Sequence, residues 1–369
     1  MPKRRRLAQI PHGDYNICGI VCADAPRRFG TETGTLRGRN RRGDFDLKLD
    51  LLTVGEVLID LTQTGVDSRG VRLLAANPGG APANAAVAAS RLGASAAFAG
   101  CVGDDSFGAS LIQTLKENNV DVSAVATDPE VPTTLAVVTV DETGERSFTF
   151  YRGPGADLCL TREQIPDSLL SGAKIVHFGS VSLTADPSRT ATLAAARDAK
   201  KLGALITYDP NYRAALWPKS EDAGARMREP LPMVDVLKIS DEEMALMSGK
   251  DTPEAAAEVL TGQGIKLVLI TLGGAGVYYR LQNGADAVTG TVPGFSVKIA
   301  DTNGAGDTFF GAVLRCLAKR GNPLEGLEKD ELERILRFAN KAASLTVSRP
   351  GALPAMPWLK ELEEEGILP

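Results

Sequence analysis

The stretch DTNGAGDTFFGA, Asp301 to Ala312, sets a second carboxylate, Asp307, directly behind a glycine-rich turn. Gly304, Ala305 and Gly306 have little or no side chain to cover their backbone N–H groups, and the residues after them read as a helix. N–H groups that open a helix converge with the positive end of its dipole, so such a turn attracts anions and can stabilise charge on a transferring phosphoryl group. A carboxylate there repels the same anion, unless a hydroxyl must lose its proton at that spot. The structural alternative is that Asp307 is an N-cap suited to the helix dipole. This stretch alone leaves both readings open.

A second stretch, NPGGAPANAAVAASRLGA, carries Gly79 and Gly80 before a helix of small residues, with Asn84 in its first turn. Paired glycines admit a ligand close to the backbone, and an amide that both donates and accepts suits sugar hydroxyls. Asp60, at the end of VGEVLID, sets a carboxylate at the edge of the first strand, where open α/β sheets bind ligands. Read locally, the glycine pair is equally a tight turn and Asp60 a turn former. In VLITLGGAGVYY, Thr271, Gly273, Gly274 and Gly276 follow a strand and permit backbone approach to a nucleotide, or else form a hairpin turn into GVYYR. No Gly-Lys-Ser/Thr follows, so this is not a Walker A loop, and the next segment is a strand, which speaks against a dinucleotide fingerprint.

Elements of a particular kind must position these residues. LLTVGEVLIDL reads as one buried strand run from Leu51, and AAFAGCVG, KIVHFGSV, ALITYDP, VDVLKIS and KLVLITLG as further strands. Helical stretches alternate with them, and two long helices, DTFFGAVLRCLAKRG and KDELERILRFANKAASLTV, lie near the C-terminus. Strand–helix alternation predicts a mostly parallel sheet covered on both faces, a three-layer α/β/α body. VPTTLAVVTVDETGERSFTFYRG breaks the alternation as a hairpin, and QTGVDSRGVRLLAANPGG could supply companion strands. A small β-sheet over about 61–78 and 131–152 is expected to project from the body, as a lid, a dimer surface or both.

The composition, 43% hydrophobic and 24% charged over 369 residues, is ample for one large core. No apolar run reaches the ~20 residues of a membrane helix. Residues 1–46 hold ten Lys or Arg and five Asp or Glu, so a net +5 there leaves −10 on the rest of a chain totalling −5. An acidic body argues against nucleic acid as the main partner. Residues 1–50 are aperiodic and arginine-rich, and the expectation is a disordered basic extension before a domain over 51–369. His12, Cys18 and Cys22 could be read as a fragment of a zinc site, but three ligands at irregular spacing do not make one. Five cysteines and no secretory signal pattern favour the cytoplasm.

GGAPANAAVAASRLGA followed at a distance by DTNGAGDTFFGAVL resembles the two signature regions of the ribokinase-like (PfkB) carbohydrate kinases, over about residues 51–358. Within that family FYRGPGADLCL, DPNYRAALW and LKISDEEMALMSG are similar to fructokinases. The resemblance implies a ribokinase-like fold and ATP-dependent phosphorylation of a sugar hydroxyl, with D-fructose to D-fructose 6-phosphate the first expectation and 2-keto-3-deoxygluconate kinase the alternative. It implies that Asp307 takes the hydroxyl proton and that Gly304, Ala305 and Gly306 form the anion hole. Asp60, Gly79, Gly80, Asn84 and Arg152 would hold the sugar, and Thr271, Gly273, Gly276 and Asn340 would flank ATP. Glu243 would help organise Mg²⁺, with Ser240 standing where the family has Asn. Many members bind a monovalent cation such as K⁺, to which Asp301 would contribute; Ala355 replaces a hydroxyl often found near that site. Relatives dimerise through the lid, so a homodimer is implied. A non-catalytic sugar or nucleotide sensor on the same fold is the reading from another class, and it has no use for the carboxylate at 307.

Overall fold

The computed structural model describes residues 48–368 except 141–145 and 285. The expected basic extension up to residue 47, with His12, Cys18 and Cys22, lies outside the described residues, as does most of the DETGER turn. In chain order the strands are β1 (Leu49–Val54), β2 (Leu58–Val66), β3 (Arg72–Gly79), β4 (Ala96–Gly103), β5 (Val120–Asp128), β6 (Leu135–Val140), β7 (Arg146–Tyr151), β8 (Ala173–Gly179), β9 (Leu205–Asp209), β10 (Val236–Ser240), β11 (Leu267–Thr271), β12 (Val277–Asn283) and β13 (Asp286–Val292). The helices are α1 (Ala81–Arg91), α2 (Ser106–Glu117), α3 (Asp167–Gly172), α4 (Ser188–Lys201), α5 (Ala223–Arg228), α6 (Met244–Ser248), α7 (Pro253–Thr261), α8 (Ala305–Lys319), α9 (Lys329–Val347) and α10 (Leu359–Glu364).

Nine strands form one sheet in the order β13-β12-β11-β10-β9-β8-β1-β4-β5. The seven from β11 to β5 run parallel, and β12 and β13 close one side antiparallel. Strands covered on both faces read as continuous apolar runs, and β1, β4 and β9 are buried at every position. Alternate side chains feed two layers. Leu52 and Val54 pack with Leu169, Ala195, Met247 and Leu260 from α3, α4, α6 and α7 on one face. Leu51 packs with Phe310, Leu314, Leu336 and Leu362 from α8, α9 and α10 on the other. The mostly parallel, three-layer α/β/α expectation holds.

LLTVGEVLIDL is not one strand. The chain leaves the main sheet after Val54, crosses Gly55–Val57 and enters β2, which belongs to a separate four-stranded sheet ordered β3-β2-β6-β7. The break projects the small sheet from the end of β1 and leaves Glu56 in the crossing; Asp60 is not at the end of the first strand but inside β2, between Asn77 of β3 and Ala136 of β6. VLITLGGAGVYY is a hairpin, with Thr271 opposite Val277 across the Gly273–Ala275 turn.

Candidate active site

Because the central strands run parallel, their C-terminal ends share one edge, and the singled-out residues collect there. A cavity of about 90 Å³ is lined by Glu56 after β1, Asp60 of β2, Gly80 and Asn84 at the start of α1, Phe150 of β7, Asn211 and Arg213 after β9, and Asn303, Gly304 and Asp307. A second cavity, of about 570 Å³, is lined by Thr271, Gly273, Gly274, Gly276, Phe295, Ala305, Gly306 and Asn340. The Gly304–Gly306 turn is the wall between them, with Gly304 on one side and Ala305 and Gly306 on the other. Gly304 takes the left-handed conformation (φ 75°), which lets the chain turn sharply into α8.

Asp307 does not cap its helix; Gly304 stands at the N-cap and Asp307 lies inside the first turn. Asn84 Nδ2 donates to Asp307 Oδ2 at 2.7 Å, joining the two sequence signatures across the cavity. Loss of water around the carboxyl pushes the Asp307 pKa up to about 6, reinforced by Asp209 and opposed by the Asn84 hydrogen bond, Lys238 and Arg213. Asp60 is likewise raised to about 6 by burial, with Arg213 opposing and Asp307 and Asp301 adding. Glu56, which accepts from the Ala81 N–H at 3.0 Å, is raised to about 7, again by burial first. Glu56 Oε2 and Asn84 Oδ1 are buried on this wall without a partner among the described residues. Buried polar atoms are normally hydrogen-bonded, so these two are placed to receive groups that the chain itself does not supply.

Gly79 and Gly80 act on this wall differently. A Cβ on Gly79 would collide with Asp60 Oδ2, so its absence leaves room for that carboxylate. Gly80 has φ 108°, and a Cβ there would stand 2.5 Å from the Glu56 carbonyl oxygen and 2.9 Å from Val57 Cα. Gly80→Ala is therefore expected to shift the backbone under Glu56 and Asn84, raising the sugar KM about tenfold or more with a smaller change for the nucleotide. Steady-state kinetics on both substrates checks it, and equal changes for both would refute a local effect.

The remaining residues implied by the resemblance divide in the same way. Thr271, Gly273, Gly276 and Asn340 line the larger cavity. A Cβ on Gly276 would meet the Val292 carbonyl and stand 2.5 Å from Gly294 N. Asn340 Nδ2 donates to the Val292 and Pro293 carbonyls at 3.1 and 3.0 Å, so it pins the end of β13 to α9 and shapes the wall. Arg152 lines neither cavity. Its guanidinium donates to Asp157, to Thr184 Oγ1 at 2.8 Å and to the Val181 carbonyl at 3.0 Å. Ser240 and Glu243 form a reciprocal cap, and Glu243 Oε1 also accepts from Tyr212 N at 2.7 Å. Both Glu243 oxygens are thus occupied, and the residue fixes the loop that carries Asn211 and Arg213. Asp301 accepts from the N–H groups of Asn303 and Gly351, tying the phosphate turn to the segment before Ala352. Glu56, Phe150, Asn211 and Arg213 are not among the residues the sequence points to, although VGEVLID, FYRGPGADLCL and DPNYR contain all four.

The chain matches known proteins along most of its length. The profile of the pfkB family carbohydrate kinases matches residues 48–359. Fructokinase-1 of Zea mays is 41% identical over 310 residues, 83% of this chain and 94% of that protein. Among solved structures, the Xylella fastidiosa fructokinase with bound ATP superposes with a TM-score of 0.79 at 33% identity, covering 86% of this chain and 99% of that one. A Vibrio cholerae fructokinase, in its form with bound fructose, ADP and potassium ion, gives a TM-score of 0.76 at 33% identity, covering 86% and 98%. With both signatures converging on the wall between two cavities, the chain belongs to the pfkB family of carbohydrate kinases.

Proposed function

We propose that the protein transfers the γ-phosphoryl group of ATP to the 6-hydroxyl of D-fructose, with the sugar in the smaller cavity and ATP in the larger. The observation that carries this reading is the shared wall: one glycine turn faces both cavities, and Asp307 stands on the sugar side of it. The hydroxyl oxygen forms the new P–O bond, the bond to ADP breaks, and the hydroxyl proton passes to Asp307. The turn's N–H groups stabilise the charge on the moving group. Asp60, Asn84 and Glu56 receive the sugar hydroxyls, and Thr271, Gly273, Gly276 and Asn340 shape the nucleotide side.

Three carboxyl groups, Glu56, Asp60 and Asp307, line the sugar cavity against one guanidinium, Arg213. That balance favours a neutral sugar over the sugar acid 2-keto-3-deoxygluconate. ATP consumption by purified protein across a panel of sugars and sugar acids tests the assignment. Fructose is expected to give the highest kcat/KM, and a preference for the sugar acid would replace it.

Mg²⁺ bound with ATP would neutralise phosphate charge. Glu243, whose oxygens already accept from backbone N–H groups, suits contact through water, and Mg²⁺ commonly keeps several waters. Asp301, bracing two loops, is where a monovalent cation such as K⁺ would be organised. We further propose a homodimer through the projecting sheet, on which Val66, Val71, Leu73 and Leu74 are exposed apolar residues. Leu73→Asp should halve the mass in analytical ultracentrifugation, and an unchanged mass would refute that surface. A cytoplasmic location accords with Cys101, Cys159 and Cys316 being free thiols; among the described residues no helix is long and apolar enough to cross a membrane.

A further inference from the structure

A buried ion pair sits directly behind the phosphate turn. Lys238, near the end of β10, donates through Nζ to Asp209 Oδ2 at 2.8 Å, and Asp209 ends the neighbouring parallel strand β9. The two side chains are 7% and 3% exposed. A Cβ on Gly306 would stand 3.0 Å from Lys238 Nζ, so only bare glycine backbone separates the ammonium from the middle of the turn. The other oxygen of Asp209, Oδ1, is buried with no partner among the described residues.

Such a pair is a poor device for stability alone. Removing two charges from water costs several kcal/mol per ion, and replacing a buried pair with apolar side chains is often neutral or stabilising. This one stands where the reaction moves charge. Negative charge gathers at the turn as the phosphoryl group crosses it, while a proton arrives on Asp307. We infer that Lys238, held by Asp209, is a positioning residue for phosphoryl transfer, backing the turn with positive charge and keeping Asp307 ready as the carboxylate.

The groups facing Asp307 are Asn84 from α1, Asp60 from β2, Asp209 from β9, Arg213 from the loop after it, and Lys238 from β10. Lys238 favours the ionised form and Asp209 disfavours it, so the two members of the pair act on Asp307 with opposite sign. A pair that only ties β9 to β10 predicts no such opposition.

The inference rests on Asp307 as the base, and the experiment separates the two. kcat is measured against pH at saturating fructose and Mg²⁺-ATP for the wild type, Lys238→Met, Asp209→Asn and Asp307→Asn. Lys238→Met is expected to move the acid limb to higher pH by about one unit and to lower the plateau roughly tenfold or more. Asp209→Asn, nearly isosteric and with Lys238 intact, is expected to move the limb to lower pH. It keeps the test decisive if Lys238→Met does not fold. Limbs that stay in place or move together, with Asp307→Asn inactive, overturn the inference alone. Near-normal kcat in Asp307→Asn overturns the base assignment and this inference with it.

Discussion

Asp307→Asn lowers kcat by roughly 10²–10⁴ while ATP affinity holds or tightens, because the change removes a general base and a charge that faces the phosphates. The substitution is a clean probe here. Asparagine keeps an oxygen that can accept the 2.7 Å hydrogen bond from Asn84 Nδ2, so the link between α1 and α8 survives. Helix capping is not at stake, since Gly304 occupies the N-cap. The wild-type pH profile follows from the same group. With its pKa raised to about 6, Asp307 is ionised above that pH and accepts a proton there; activity falls as pH drops through it. Removal of the carboxylate takes its contribution out of that limb together with the rate, while Asp60 and Glu56, raised to about 6 and about 7 in the same cavity, still titrate there. Measured kcat, its pH dependence and ATP affinity in one folded variant decide the matter, and a near-normal kcat would overturn the mechanism.

How far the sequence spoke depended on whether a signal was local. The Gly304–Gly306 turn and Asp307 were legible because glycines, a charge and a helix start occur within seven residues. The alternation of β8, α4 and β9 was equally plain, since each buried parallel strand is a short unbroken apolar run. The break between β1 and β2 was not, because apolar residues resume at Val57 after only Gly55 and Glu56, and only the sheet topology shows the chain changing sheets. β5 and β13, at the two edges of the main sheet, mix polar and exposed positions and give a weak pattern. Lys238 is the harder case. A lone lysine in LKIS carries no sign of a partner 29 residues earlier; adjacent parallel strands create that pair.

Arg152 shows how a motif can indicate an important residue and leave its role undetermined. The resemblance places it on the sugar, whereas its guanidinium is 5% exposed and paired with Asp157, whose side chain is fully buried and also accepts from Thr134 Oγ1. Arg152→Ala leaves that carboxylate without its cation. Breaking a buried pair in this way costs about 3–5 kcal/mol, so a large drop in stability to urea is expected. The sugar KM should also rise, because Arg152 holds the carbonyl of Val181, which lines the sugar cavity. A rise in KM alone therefore does not distinguish support from contact. The double variant Arg152→Met/Asp157→Leu removes both charges and refills the space, and it should recover much of the lost stability. If Arg152 only supports the wall, sugar KM recovers with stability. If it reaches the sugar when substrate binds, KM stays high in a protein that folds as firmly as the wild type. Urea denaturation paired with fructose kinetics on the single and double variants separates the two, and recovery of both together is the expected result.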